Sequence, residues 1–579
     1  MRKSRVLALG LLLVLIGGLL AWQTQTDGGQ IDIKDVRFVG TNGLLMSGLL
    51  YVPPGATAET PAPAVLAIHG YINSRETQAP YAIEFARRGY VVLALDQSGH
   101  GYSEPPAFAN GFGGIDGLAY LRSLDIVDKD NIGLEGHSMG GWAVAIAAAV
   151  IPDGYKSINL QGSSTGTFGA PDGTAEFPRN FALTFSTWDE FSDLMWGSPT
   201  GKAIVDTAKL QTAFNTDAPV VVEQLYGSIE DGTARVLYQP VTTHPGDHLN
   251  SSAVASAIDW MQKTLTGGNG LDQNNQVWQN NEVGRLIALV GMVISMVAFG
   301  GLLLETGFFS GLAHAPAAPK PTTGTMRYIG YALIMFVPII SFFWLNNQGA
   351  QLVPAATALF AQNITTGVMV WALGNALISL VLFLLWHFTS NASNNPTLAT
   401  YGLSVNVMAI LKALLFAVCV VGFGYFLLVL SDLLFKSDFR FWVVAVKLMS
   451  SLHFRIFLSY LPFFTVFFLM LGVALHGQHR PEGAVSLSRE IIGNVGLLVL
   501  GFFVLLLVQY VPLLTGGTLP IAEPLLTIVA FQFIPLLTIA GVIMTYFYRK
   551  TGTIFAGAFT SSILITWIIV ASTATHYPF

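Results

Sequence analysis

Gly136-His137-Ser138-Met139-Gly140 decides the reading of this chain through what stands on either side of it. The β-rich stretch Asn131-Ile132-Gly133-Leu134-Glu135 runs directly into it, and an alanine-rich helical pattern begins near Gly141. In a strand–G-x-S-x-G–helix context the serine occupies a tight, strained turn and its Oγ projects from the edge of a sheet. The helix N-terminus behind it presents unpaired N–H groups to developing negative charge. The flanking glycines fit because a side chain at either would collide with the neighbouring strand or helix. A chance match in a chain with 59 glycines would have no reason to show this order of elements.

Outward from this turn, short β-rich runs alternate with helical patterns: 36–38, 44–51, 64–68, 81–88, 91–96, 115–122, 132–135 and 142–150. Runs such as Ala64-Val65-Leu66-Ala67-Ile68 and Val91-Val92-Leu93-Ala94-Leu95 are apolar without alternation, as strands are when both faces of their sheet are covered. The expected fold class is α/β, a doubly wound core opened by an antiparallel hairpin, over residues 23–265. That is enough chain to bury a sizeable core.

His69-Gly70-Tyr71, Asp96-Gln97-Ser98-Gly99-His100-Gly101-Tyr102-Ser103 and the 136–140 turn together resemble the α/β-hydrolase superfamily, in particular its serine esterase, lipase and peptidase-like members. The resemblance covers roughly residues 35–265. It implies Ser138 as nucleophile, with the backbone N–H groups of Tyr71 and Met139 forming an oxyanion hole. It implies no metal or organic cofactor. It also makes Asp96 and His100 parts of a structural turn rather than catalysts.

In that order of elements the acid follows on a later strand. The run Asn180-Phe181-Ala182-Leu183-Thr184-Phe185-Ser186-Thr187-Trp188-Asp189-Glu190 alternates and ends in carboxylates, which favours Asp189. Asp231 is the rival, in what reads as a hairpin turn before Ala234-Arg235-Val236-Leu237-Tyr238. The base comes last, and Thr243-His244-Pro245-Gly246-Asp247-His248 leaves two histidines open, His244 preferred for its spacing and His248 as the alternative. Only some eighteen residues separate the strand at 157–161 from Asn180, so the cap is expected to be minimal. Trp188, Phe191 and Trp196 then either cover the cleft or pack in the core.

The rest of the chain belongs to a bilayer. Of 579 residues, 52% are hydrophobic and 11% charged, with a single cysteine, and the mean hydropathy is +0.57. Between Asp27 and Glu282 lie 28 of the 34 acidic residues against 13 Lys and Arg, whereas the remainder is slightly basic. This pattern offers no footprint for nucleic acid. Residues 6–22 form an apolar run behind Arg2, Lys3 and Arg5, without a small-x-small cleavage site, and read as an uncleaved signal anchor. Residues 266–282, rich in Gly, Asn and Gln, read as a linker, and 283–579 as a polytopic helical domain.

Eight further spans are expected near 286–304, 328–345, 366–387, 407–430, 455–475, 491–514, 525–547 and 555–575, nine in all. With the N-terminus cytoplasmic, Lys320, Arg327, Arg480, Arg489, Arg549 and Lys550 fall on the cytoplasmic side. Lys436, Arg440, Lys447 and Arg455 do not, which makes 431–453 an interfacial helix or a re-entrant element. Lys412 is read as snorkelling. Asn375, Asn406, Asn494, Gln509 and Gln532 either line a lipid path or hold helices together.

The expectation is a multi-pass membrane protein whose serine hydrolase domain lies outside the cytoplasm and cleaves an ester, with a lipid or acylated small molecule as substrate and the lipid bilayer as partner. The alternatives are a transporter or lipid-handling module carrying a regulatory hydrolase-like domain, and an acyltransferase or peptidase with the same triad.

Overall fold

The computed structural model describes residues 3–481, 483 and 485–579, and Arg2 of the basic flank lies outside the described residues. The chain forms two compact units. One comprises the chain up to Gly18, Arg285–Val508 and Leu525–Ala571. The other comprises Leu19–Gly284, Gln509–Pro524 and Ser572–Phe579.

Helix α1 (Lys3–Gln25) opens the chain, and the sheet unit follows. Its strands are β1 (Asp32–Val39), β2 (Leu45–Val52), β3 (Ala62–Ile68), β4 (Val91–Asp96), β5 (Val127–His137), β6 (Ser157–Gln161), β7 (Phe181–Thr184) and β8 (Arg235–Tyr238). They lie in the order β1-β2-β4-β3-β5-β6-β7-β8, with β1, β2 and β4 paired antiparallel and every other pairing parallel. This is the expected hairpin followed by a parallel core. Helices α2 (Ala79–Arg87), α3 (Gly114–Ser123), α4 (Met139–Val150), α5 (Ser192–Trp196), α6 (Ala208–Phe214) and α7 (Ser251–Thr264) complete the unit.

Strand β3 is apolar throughout because its alternate side chains feed two cores. Leu66 and Ile68 join Leu118 and Val144 on one face. Val65 and Ala67 join Phe85 and Ile258 on the other. The parallel register also aligns the strand ends. His137 pairs with Gln161, Gln161 with Thr184 and Thr184 with Tyr238, so four neighbouring strands end on one row and their following loops leave from one edge. The stretch read as a linker is held by Arg88, whose guanidinium donates to the carbonyls of Leu271, Asp272 and Asn275.

The helical unit continues with α8 (Trp278–Leu303), α9 (Gly324–Ile340), α10 (Phe342–Leu352), α11 (Asn363–Trp386), α12 (Val407–Phe435), α13 (Ser451–Gly472), α14 (Leu487–Leu514), α15 (Pro524–Thr551) and α16 (Phe555–Ala571). Among the described residues seven helices are long and apolar enough to cross a bilayer, or eight if α9 and α10, bent by 48°, count as one span. The expected nine are not reached, because α16 has 17 residues and the chain leaves the helix before Ser572. The α9–α10 bend follows Pro338, which removes a backbone donor from the last turn of α9.

The stretch 431–453 is corrected as well. Its centre is not an interfacial helix but a small hairpin of β9 (Phe439–Phe441) and β10 (Val444–Val446), residue types that favour extended backbone. Its basic charge is met in part by Asp438, which lies 2.7 Å from Arg440 and 3.6 Å from Arg285. Polar residues read as a possible lipid path mostly tie the structure together. Asn494 donates to Thr545, Gln532 donates to the Val443 carbonyl, and Asn406 caps α12. Asn375 borders an apolar cavity of about 160 Å³ beside Trp371 and Phe502.

Candidate active site

Strand β5 ends at His137 and α4 begins at Met139, so Ser138 alone makes the turn between them. Its backbone sits at φ 55°, ψ −121°, a conformation that costs a non-glycine residue on the order of 1–3 kcal/mol. The surroundings hold it there. The Ser138 N–H donates to the Gln161 carbonyl at 2.8 Å, and the Ser138 carbonyl accepts from Ser163 Oγ at 2.6 Å. Gly140 lies so close to the carbonyls of Ile68 and His69 that any side chain would strike backbone.

The loop after β3 closes on the same point, since a Cβ on Gly70 would stand 3.0 Å from Ser138 Cβ. The Asp96–Ser103 turn is scaffold. Asp96 accepts the N–H groups of Arg75 and Tyr102 at 2.8 and 3.0 Å, while His100 Nδ1 lies 3.0 Å from the Ser98 carbonyl.

From the same edge of the sheet, the segments after β7 and β8 bring Asp189 and His244 together. Asp189 Oδ2 lies 2.9 Å from His244 Nδ1, and both side chains are buried. A second Asp189 oxygen accepts the Phe191 N–H at 2.8 Å, which fixes the carboxylate plane. Burial pushes the His244 imidazole down to about 4, with Asp247 opposing. The imidazole is therefore neutral at pH 7. The ring of Phe191 packs 4.6 Å from it, while Trp196 donates to the Ser163 carbonyl deep in the core. His248 instead bonds Gln78 at 3.0 Å. Asp231 lies exposed in the turn before β8, where its N–H donates to Ser228.

Comparison with known proteins adds the family. The alpha/beta hydrolase fold family matches residues 63–191, which contain the strained serine. Residues 30–260 form an α/β-hydrolase domain. Dipeptidyl peptidase 8 of Mus musculus is 32% identical over 127 residues, covering 19% of this chain and 14% of that protein. Acyltransferase drtE of Aspergillus calidoustus is 28% identical over 162 residues, covering 26% of this chain and 49% of that protein. The matches thus span at most about half the length of these relatives. Among solved structures, the esterase Pf2001 of Pyrococcus furiosus is 16% identical, covering 41% of this chain and 95% of that one at a TM-score of 0.27.

The hydrolase domain holds residues around this site that the sequence reading passed over. Glu190 Oε2 accepts the backbone N–H of His244 at 2.7 Å, and burial, with Asp189 beside it, pushes Glu190 up to about 8. Asp247 accepts from Ser186 Oγ, and its other oxygen lies 3.5 Å from His137 Nε2. His137 also reaches the His244 carbonyl at 3.0 Å, and burial pushes its imidazole down. Glu190 and Asp247 stand next to residues that were named, so adjacency was the available signal. Tyr510 and His576 had none. Tyr510 Oη donates to Glu190 Oε1 at 2.5 Å, and His576 Nε2 lies 2.9 Å from Tyr71 Oη. Among the described residues no group of three or more His, Cys, Asp or Glu is placed to hold a metal ion.

Proposed function

We propose that this protein is a membrane-embedded serine hydrolase that cleaves esters through an acyl-enzyme on Ser138. The observation that carries the reading is the alignment of a strained serine between β5 and α4 with a buried Asp189–His244 pair at the same sheet edge.

In this reading His244 Nε2 takes the proton of Ser138 Oγ as the oxygen attacks the ester carbonyl. Asp189, bonded through Nδ1, orients the ring and stabilises the imidazolium that forms. The N–H groups of Tyr71 and Met139 receive the oxyanion, where the α4 N-terminus adds its dipole. His244 then protonates the leaving alkoxide, and a water activated by the same base releases the acid and frees Ser138. Candidate spans along the chain support contact with a bilayer, so a lipid or acylated cell-surface ester is the substrate class we favour, with the domain outside the cytoplasm.

The match to an acyltransferase favours a second reading in which a hydroxyl or amine other than water accepts the acyl group. Both readings share the acyl-enzyme. A fluorescent fluorophosphonate applied to native membranes tests it: labelling is expected in the wild type and absent in Ser138→Ala. Equal labelling of the two, or none in the wild type, would sink the proposal. Partition of a p-nitrophenyl butyrate acyl group between water and added alcohols then separates hydrolysis from transfer.

A further inference from the structure

The candidate base is fastened from a segment far along the chain. Glu190 has both carboxylate oxygens engaged: Oε2 takes the His244 N–H at 2.7 Å and Oε1 takes the Tyr510 hydroxyl at 2.5 Å, across 320 residues of sequence. All three side chains are buried, Tyr510 at 7% exposure and Glu190 at 9%. Tyr510 stands in the last turns of α14, within the segment Gln509–Pro524 that folds with the hydrolase domain. That segment is stapled on itself, for Gln509 Nε2 donates to the Ile521 carbonyl and Oε1 accepts the Ile521 N–H, each at 2.9 Å. A stapled segment delivers a hydroxyl at a fixed place, to a carboxyl group whose other oxygen already holds the His244 N–H.

The His244 carbonyl is met by His137 Nε2 at 3.0 Å and Thr243 is bridged to Trp188, which leaves the His244 N–H to Glu190. His244 lies at the start of a short turn after β8, with Pro245 next to it, and no helix dipole or strand ladder holds its N–H. Where the imidazole must keep its place relative to Ser138 to within about half an ångström, freedom at that N–H is lost rate.

We propose that Tyr510 is a positioning residue for the base of this hydrolase, acting through Glu190 on the backbone of His244. The proposal rests on the assignment of His244 as base. It makes the site a composite of the 30–260 domain and the 509–524 segment.

The test uses the full-length protein in detergent micelles, with p-nitrophenyl butyrate for kcat and KM, fluorophosphonate labelling for Ser138, and thermal unfolding as a control. Tyr510→Phe is expected to lower kcat and the labelling rate about tenfold or more while KM moves less than about twofold. Glu190→Gln keeps an acceptor for the His244 N–H and a donor toward Tyr510, and is expected to retain several times the kcat of Glu190→Ala. Tyr510→Phe added to Glu190→Ala should cost nothing further. Wild-type kcat in Tyr510→Phe would overturn the role, as would additive losses in the double variant. Should Tyr510→Phe melt early, the comparison of Glu190→Gln with Glu190→Ala decides, since both leave Tyr510 in place. An unlabelled wild type removes the hydrolase reading and this role with it. A wild type labelled at Ser138 with an unaffected Tyr510→Phe removes the role alone.

Discussion

His244 and His248 are separated by four positions and by very different partners. Nδ1 of the first faces a buried carboxylate, whereas Nε2 of the second faces the Gln78 amide. His244→Ala is accordingly expected to lower kcat by at least about a thousandfold and His248→Ala far less, as measured with p-nitrophenyl butyrate. The pH profile follows from burial. With its imidazole pushed down to about 4, His244 stays unprotonated through the range where a free imidazole, at about 6.5, would already be charged. The acid limb of kcat/KM is expected below pH 5, and a limb near 6.5 would count against burial of the base. The sign for stability runs the same way. A histidine depressed in the fold binds protons more readily when unfolded, so stability is lost as pH falls from about 6.5 toward 4. Sequence alone pointed to Ser138, Asp189 and His244 because each follows a β-rich run and has a recognisable neighbour, although the run read as a strand up to Asp189 stops at Thr184 and His244 lies well past the end of β8 at Tyr238. Glu190 was passed over beside Asp189 since adjacent carboxylates are indistinguishable until one is seen to turn toward a backbone N–H.

Between strands and helices, the edge where β5, β6, β7 and β8 end sets the geometry. The segment after β6 must pass behind the His244 ring without filling its space, and Gly162 does so at φ 50°. A Cβ there would lie 3.0 Å from both His244 Nδ1 and Asp247 Oδ2 and 3.2 Å from Asp189 Oδ2. Gly162→Ala is therefore expected to cut kcat at least about tenfold and to cost about 1–3 kcal/mol in unfolding free energy, measured by urea titration of the purified protein. The sheet was readable because β3 and β4 are apolar on both faces and β5 runs into the serine. The helical elements were less so, since apolar periodicity does not tell a 17-residue helix such as α16 from a longer span, and the β9–β10 hairpin is too short to outweigh its apolar surroundings.

For the molecule as a whole, the division expected from composition was a contiguous one, and no local pattern could have shown otherwise, because contacts between distant segments leave no periodic trace. Ser572–Phe579 folds with the hydrolase domain. Thr575 donates to the Gly99 carbonyl at 2.7 Å and accepts the Ala107 N–H at 2.8 Å, and His576 packs on Tyr71 and Phe108. Removal of 572–579 is expected to slow fluorophosphonate labelling several-fold and to lower the unfolding temperature, since it strips contacts from the loop that carries Tyr71. Unchanged labelling would show that this strap only covers the domain. The long reach of these contacts also has a consequence for biogenesis. A ribosome releases Ser138, Asp189 and His244 well before it has made Tyr510, and Tyr510 before His576, so the nascent domain meets the membrane with its machinery unfinished and gains its last supports only after most of the helical segments have been synthesised.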